Sequence, residues 1–359
     1  MDKNLINLAK IPLIFNKNID NLVEELIDNN KVFIDDKDIL KQIFISILSG
    51  HHVILYGPVG TGKTELIRKI SKIFEVDLEL VTVGDDWDAP EYLIGWEEFK
   101  QNHFEFIKGP LLITLEKCFK YIKEELTKTI NLENKFQACW LVLDEMNRGD
   151  INKYTSSFIT ALEPLKNNLT IKDFEEKYKI NIKTPKGFFK VPIPLRFRII
   201  GTINTFDKNL LYKFPAALKG RRFLFIPINP PKNIEREKLI VKSILYKEFQ
   251  DRFNELVVTD LIEYASSIIQ RLRILDFEIG TAIFIDIIRY SYIEYLHSFN
   301  NIKPLIDSAI SVKIIPMLQD LNYSLQENII SFFKERKDDF FITLNALKSL
   351  IENNNIYSF

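Results

Sequence analysis

Gly57-Pro58-Val59-Gly60-Thr61-Gly62-Lys63-Thr64 fits the pattern G-x-x-x-x-G-K-[ST] at every fixed position. Each requirement has a physical cause. Glycine lets the backbone wrap closely and take dihedrals closed to other residues. Successive backbone N–H groups, followed by a helix N-terminus, form an anion cradle. Lys63 would neutralise the β- and γ-phosphate oxygens of a nucleoside triphosphate, and Thr64 would offer a hydroxyl to Mg2+. Context separates such a loop from a chance glycine-rich turn. Val53-Ile54-Leu55-Tyr56 precede it as a short apolar run, the pattern of a strand buried on both faces. Leu66, Ile67, Ile70, Ile73 and Phe74 follow at the spacing of an amphipathic helix.

Working outward, Ile39, Leu40, Ile43, Phe44, Ile47 and Leu48 predict a helix over 37–49, with Asp36 as N-cap and Gly50 as its stop. Apolar runs recur at 78–83, 140–143, 197–203 and 223–228, with helical or irregular material between them. Together with 53–56 they predict an α/β fold, a five-stranded, largely parallel sheet flanked by helices. After Pro230-Pro231 the texture changes to successive amphipathic helices, expected over 234–253, 260–274 and 281–296. The expected organisation is a short N-terminal extension (1–36), an α/β nucleotide-binding domain (37–231) and a smaller all-helical lid domain (232–359).

Trp140-Leu141-Val142-Leu143-Asp144-Glu145 is an apolar run ending in two acids. A parallel strand presents its C-terminal end to the ligand crevice, beside the phosphate loop. There Asp144 would hold the water shell of Mg2+, and Glu145 would polarise the water attacking the γ-phosphate. Phe197-Arg198-Ile199-Ile200-Gly201-Thr202-Ile203-Asn204 is a further apolar run ending in an amide. Asn204 would orient that water from a strand lying between the two earlier ones; alone, an Asn at a strand end is commonly a cap. Arg221 and Arg222 stand just before the last run. A guanidinium stabilises charge on a transferring phosphoryl group, and one supplied by a neighbouring subunit couples hydrolysis to assembly.

Taken together, these motifs over residues 37 to 300 resemble the AAA+ superfamily, and within it the dynein-related, MoxR-like and McrB-like branch. The loop resembles Walker A, and Asp144-Glu145 resembles Walker B. Asp144-Glu145-Met146-Asn147-Arg148 is similar to the D-E-I-N-R signature of the McrB-type motor subunit. Gly201-Thr202-Ile203-Asn204-Thr205-Phe206-Asp207 is similar to that family's G-T-M-N-T-A-D stretch, which makes Asn204 the sensor 1 residue. The resemblance implies Arg222, with Arg221 as neighbouring candidate, as an arginine finger, and Arg148 as a contact to an adjoining subunit. It also implies an insertion over 87–111 and a hairpin over 180–194 turning at Lys186-Gly187, with Trp87, Phe188 and Phe189 directed to a central pore. Two departures stand out. The expected sensor 2 arginine position is Ala282, so either Arg271 or Arg273 substitutes or the lid does not report on the γ-phosphate in that way, and the N-terminal region is expected to be too short for a recognition domain of the McrB type.

Composition narrows the classes further. Net charge is −1 and sequence pI about 6.5, so no global basic field holds nucleic acid. Cys118 and Cys139 make no disulfide framework, and no His/Cys spacing resembles a zinc site. No leader and no membrane span is expected, which implies a cytoplasmic protein. The resemblance implies ATP or GTP with Mg2+, a homo-oligomer in the form of a hexameric ring, and a McrC-like nuclease or other effector as partner, with DNA reached through that partner. Two alternatives remain: a MoxR-like ATPase remodelling proteins, and a nucleotide-dependent scaffold without turnover. Glu145 and Asn204 argue against the scaffold.

Overall fold

The computed structural model describes residues 2–28, 32, 34–100, 103–127, 136–184, 187–204, 218–298 and 301–352. In chain order the elements are α1 (Lys3–Ala9), α2 (Ile19–Asp28), α3 (Lys37–Leu48), β1 (His52–Gly57), α4 (Lys63–Ile73), β2 (Val76–Thr82), the short α5 (Glu91–Ile94), β3 (Gly95–Lys100), β4 (His103–Lys108), α6 (Pro110–Thr127), β5 (Ala138–Asp144), the short α7 (Ile151–Tyr154), α8 (Ile171–Glu176), β6 (Lys179–Thr184), β7 (Gly187–Pro192), β8 (Ile199–Asn204) and β9 (Phe223–Pro227). Helices follow: α9 (Ile234–Phe249), α10 (Glu255–Ile274), α11 (Thr281–Ser298), α12 (Ile302–Lys313), α13 (Tyr323–Glu335) and α14 (Phe341–Glu352).

The five-stranded sheet runs β2-β5-β8-β1-β9, and every neighbouring pair is parallel. β8 lies between β5 and β1, the place expected for the strand that ends in Asn204. Two antiparallel hairpins, β3–β4 and β6–β7, stand outside this sheet. Asp36 caps α3 as expected, accepting from the N–H groups of Asp38 and Ile39. The helix expected over 234–253 stops at Phe249, because Gln250 takes φ +43° and a 3-10 turn follows. Two hydrophobic clusters form, one drawing on residues between Ile6 and Ile228, the other on residues between Val241 and Leu347. Cys118 and Cys139 are buried and unbridged, the packing role of small hydrophobes.

Residues 1–36 pack into the first cluster through Ile6, Ala9, Val23 and Leu26. The connection between α1 and α2 is held by hydrogen bonds to distant parts of the chain. Gln137 donates to Ile14 O and accepts from Ile14 N–H, while the buried Arg196 donates to Pro12 O. Arg198, also buried, places its guanidinium on Ile47 O at the end of α3, and on Leu195 O and Phe197 O. A cation on the last carbonyls of a helix satisfies orphan acceptors and complements the macrodipole. Burial nevertheless lowers its pKa to about 10.

His52, at the start of β1, is fully buried against Phe197 and Phe223, and its Nδ1 accepts from Ile199 N–H. Burial, with the Arg198 charge beside it, pushes its pKa down to about 3, so the folded state keeps the ring neutral. An unfolded histidine takes up a proton near pH 6.5, so this stabilisation is complete above that pH and is lost as pH falls. Between pH 7 and pH 5 the wild type therefore loses about 2 kcal/mol relative to a His52→Gln variant. Urea denaturation of both proteins at the two pH values measures this, and parallel losses would contradict it.

Candidate functional site

The C-terminal ends of β1, β5 and β8 bring Gly57, Asp144 and Asn204 to one edge of the sheet, since Gly57 pairs with Asn204 and Leu143 with Gly201. From Gly57 the chain runs through Pro58, Val59, Gly60, Thr61 and Gly62 into α4, which begins at Lys63. Gly60 and Gly62 have φ of +79° and +81°, the left-handed backbone that favours glycine, and Gly62 is the N-cap. This is the strand–loop–helix setting that the phosphate-cradle reading requires.

Lys63 is buried, and its Nζ donates to Gly57 O (2.9 Å) and Pro58 O (2.8 Å), with Thr61 Oγ1 at 3.5 Å. Thr61 Oγ1 also donates to Pro58 O. Burial lowers the Lys63 pKa to about 8, although Glu145 and Asp144 pull it up. A buried ammonium resting on neutral carbonyls is chemistry suited to an incoming anion such as a triphosphate.

Thr64 Oγ1 donates to Asp144 Oδ1 at 2.9 Å, so the hydroxyl and carboxylate expected to share Mg2+ already meet. Thr202 Oγ1 donates to the same Oδ1 and accepts from Glu145 N–H at 3.1 Å. Asn204 Nδ2 donates to Glu145 Oε1, joining the amide and the carboxylate expected from the sequence to orient and activate water. Glu145 has φ +56°, uncommon for a residue with a side chain and the kind of local strain that clusters at active sites. Among the described residues, no group of three or more His, Cys, Asp or Glu side chains is arranged to hold a metal, so a cation here needs the Thr64 hydroxyl and the ligand's own oxygens.

The structure therefore brings together Lys63, Thr64, Asp144, Glu145 and Asn204, and keeps Arg221 and Arg222 away from them. Arg222 precedes β9, whose Phe223 pairs with His52 at the start of β1, and Arg222 O accepts from His52 N–H. The run from His52 to Gly57 spans roughly 16 Å, so Arg222 sits at the opposite edge of the sheet from its own chain's loop. Both arginines pair with Glu163, Arg221 at 3.0 Å and Arg222 at 3.3 Å, and Lys177 joins them at 2.7 Å. Burial raises the Glu163 pKa, but its three cations outweigh this and hold it below the ordinary value. Arg148 pairs on the surface with Asp85 at 2.8 Å.

Trp87 corrects one expectation. It is 9% exposed, stacks on Tyr92 and meets Tyr154 edge-on, so it is core and faces no pore. Phe188 and Phe189 on the β6–β7 hairpin are 75% and 51% exposed. Lys186, Thr205, Phe206, Asp207 and Pro215 to Ala217 lie outside the described residues.

The lid meets the phosphate loop through main chain. Ala282 N–H donates to Gly60 O at 2.9 Å, and a Cβ on Gly280 would fall 2.2 Å from Gly60 C. Arg273 is committed elsewhere: its guanidinium bridges the buried Glu237 and Ile279 O, and Thr281 Oγ1 donates to the same Glu237. Arg271 is exposed. Sequence reasoning missed Thr202, Glu163 and Glu237. Only Thr202 carried a usable signal: it lies two residues before Asn204 and so faces the same side of its strand.

An anion bound beside Lys63 would raise that group's pKa above 8. Below pH 8 the ammonium is already charged; above it, binding must take up a proton and weakens, by up to about tenfold per pH unit. Calorimetric titration with Mg·ATP and Mg·GTP between pH 7 and pH 9.5 should show this slope, and Lys63→Met should abolish it. A flat wild-type profile above pH 8 would contradict the assignment.

Residues 52–223 match the family described as "AAA domain (dynein-related subfamily)", and this stretch is such a domain. A protein of Bacillus subtilis (strain 168), described as "Uncharacterized protein YojN", is 33% identical over 106 residues, covering 28% of this chain and 34% of that protein. This chain thus matches only about a third of that relative's length. Solved structures of two single-substitution mutants of Thermotoga maritima RuvB are similar. One has 15% identity, TM-score 0.44 and coverage of 91% of this chain and 86% of that one. The other has 14% identity, TM-score 0.42 and coverage of 78% and 70%.

Proposed function

We propose that this chain hydrolyses a nucleoside triphosphate, ATP or GTP, as one subunit of a McrB-like hexameric ring that drives a partner. The reading takes the partner to be a McrC-like nuclease or another effector, with DNA reached and translocated through it. The observation that carries the hydrolytic part is the chain of contacts Thr64–Asp144–Thr202–Glu145–Asn204 beside Lys63. A scaffold that only binds nucleotide has no need of a carboxylate held against an orienting amide. In hydrolysis Lys63 neutralises phosphate charge, Asn204 aligns the attacking water and Glu145 takes its proton. Mg2+, which Thr64 and Asp144 would hold, draws charge from the phosphate oxygens when bound.

What supports the ring is the position of Arg222 at the far edge of the sheet, paired with Glu163 and beyond reach of its own chain's loop. A site completed by a neighbour's arginine makes assembly a condition of turnover. What supports the McrB-like assignment is the pair of signatures at 144–148 and 201–204.

Glu145→Gln should retain nucleotide binding and lose at least about 100-fold in kcat, the scale of a removed general base. Arg222→Ala should also lose turnover. Mixing these two inactive variants should restore part of it, because one contributes Arg222 and the other Glu145 to a shared site. A wild type inactive with ATP and GTP, alone and with the product of a neighbouring nuclease gene, would sink the reading. Failure of the mixture to recover would sink the ring.

A further inference from the structure

We propose that Thr202 is the positioning residue for both acids of the site, and that its hydroxyl sets the affinity for the divalent cation. The proposal rests on the hydrolytic reading above and deepens it. Thr202 is 2% exposed, on β8, and has no route to the nucleotide except through its neighbours. A hydroxyl has one proton and two lone pairs. Here the proton goes to Asp144 Oδ1 and a lone pair receives Glu145 N–H, so one oxygen ties the two acids together.

Each bond has a distinct consequence. Asp144 Oδ1 also accepts from Thr64, so Thr202 and Thr64 fix this oxygen from two sides, and among the described residues Oδ2 has no hydrogen-bond partner. The carboxylate is held in one rotamer before any cation arrives, which is the work of an outer hydrogen-bond partner at a metal site. The second bond holds the Glu145 peptide in its left-handed conformation, the turn that carries the Glu145 carboxylate to Asn204. The neighbouring ladder closes the arrangement, since Met146 N–H donates to Thr202 O at 2.9 Å.

Valine copies the shape of threonine without the hydroxyl, serine keeps the hydroxyl, and cysteine offers only a weak S–H donor. The test measures affinity for a fluorescent ATP analogue with EDTA present, and then the Mg2+ concentration at the midpoint of its metal-dependent tightening. Thr202→Val should keep the metal-free affinity within about twofold and raise the Mg2+ midpoint by about tenfold, the scale for loss of an outer partner. Its kcat should fall by a similar factor with little change in KM, while Thr202→Ser stays near wild type. If Thr202→Val does not fold, Thr202→Cys carries the test, with a midpoint between wild type and the valine expectation. A wild-type midpoint in the valine variant, or in the cysteine variant where valine does not fold, would overturn the proposal, as would a serine variant as impaired as either. Should the wild type bind nucleotide without hydrolysing it, the hydrolytic reading falls while the Mg2+ midpoint still decides the role of Thr202.

Discussion

The parallel register of β1, β5 and β8 is the constraint on which the rest depends. Strands buried on both faces carry apolar side chains along their length and leave polar chemistry only to their ends. Pairing Gly57 with Asn204, and Leu143 with Gly201, brings those ends level. A phosphate loop, two acids and an amide then meet, although most of the α/β region separates Gly57 from Asn204 in sequence. The same register fixes what cannot meet. Arg222 enters β9 at the N-terminal edge, and no rotamer carries it the length of a strand.

A second theme is how the fold treats buried cations. Among the described residues Arg198 is matched to carbonyl oxygens alone, one of them at a helix C-terminus, with no carboxylate among its hydrogen-bond partners. Lys63 uses the same device with Gly57 O and Pro58 O. The likeness ends there. Arg198 is enclosed and cannot be approached, whereas Lys63 stands in a loop whose remaining N–H groups suit an anion. Carbonyls satisfy its donors without cancelling its charge. Glu163 shows the opposite arrangement, one carboxylate beneath three cations, which retains net positive charge at the sheet edge that carries Arg222.

Much of this was legible in the sequence because the signals were local. The loop pattern, with an apolar run before it and a helical period after it, located one strand and one helix, and the acids and amide marked the ends of two further strands. Trp87 was misread because a motif's position says nothing about burial, and its stacking on Tyr92 and edge-on contact with Tyr154 are decided by three separate segments. Nothing in the sequence sets Glu237 apart from the other charges of its helix. Its burial follows from Arg273 and Thr281, which lie 36 and 44 residues away. Arg273, a candidate to report on the γ-phosphate, is occupied by that pair, and the lid instead meets the loop through the Ala282 N–H. Contacts of this range leave no periodicity behind.

The strap between α1 and α2 has a consequence for how the chain is made. Its oxygen at Pro12 is satisfied by Arg196, 184 residues later, and its backbone at Ile14 by Gln137, 123 residues later. On a ribosome this segment must wait for most of the α/β region to follow it before its backbone is matched. Local helices can form at once, but this segment closes long loops, and the entropy of closing them is lost late. This segment is thus among the last to settle, although the ring of Phe15 meets Phe44 and Phe74, which lie much nearer in sequence than Gln137 and Arg196.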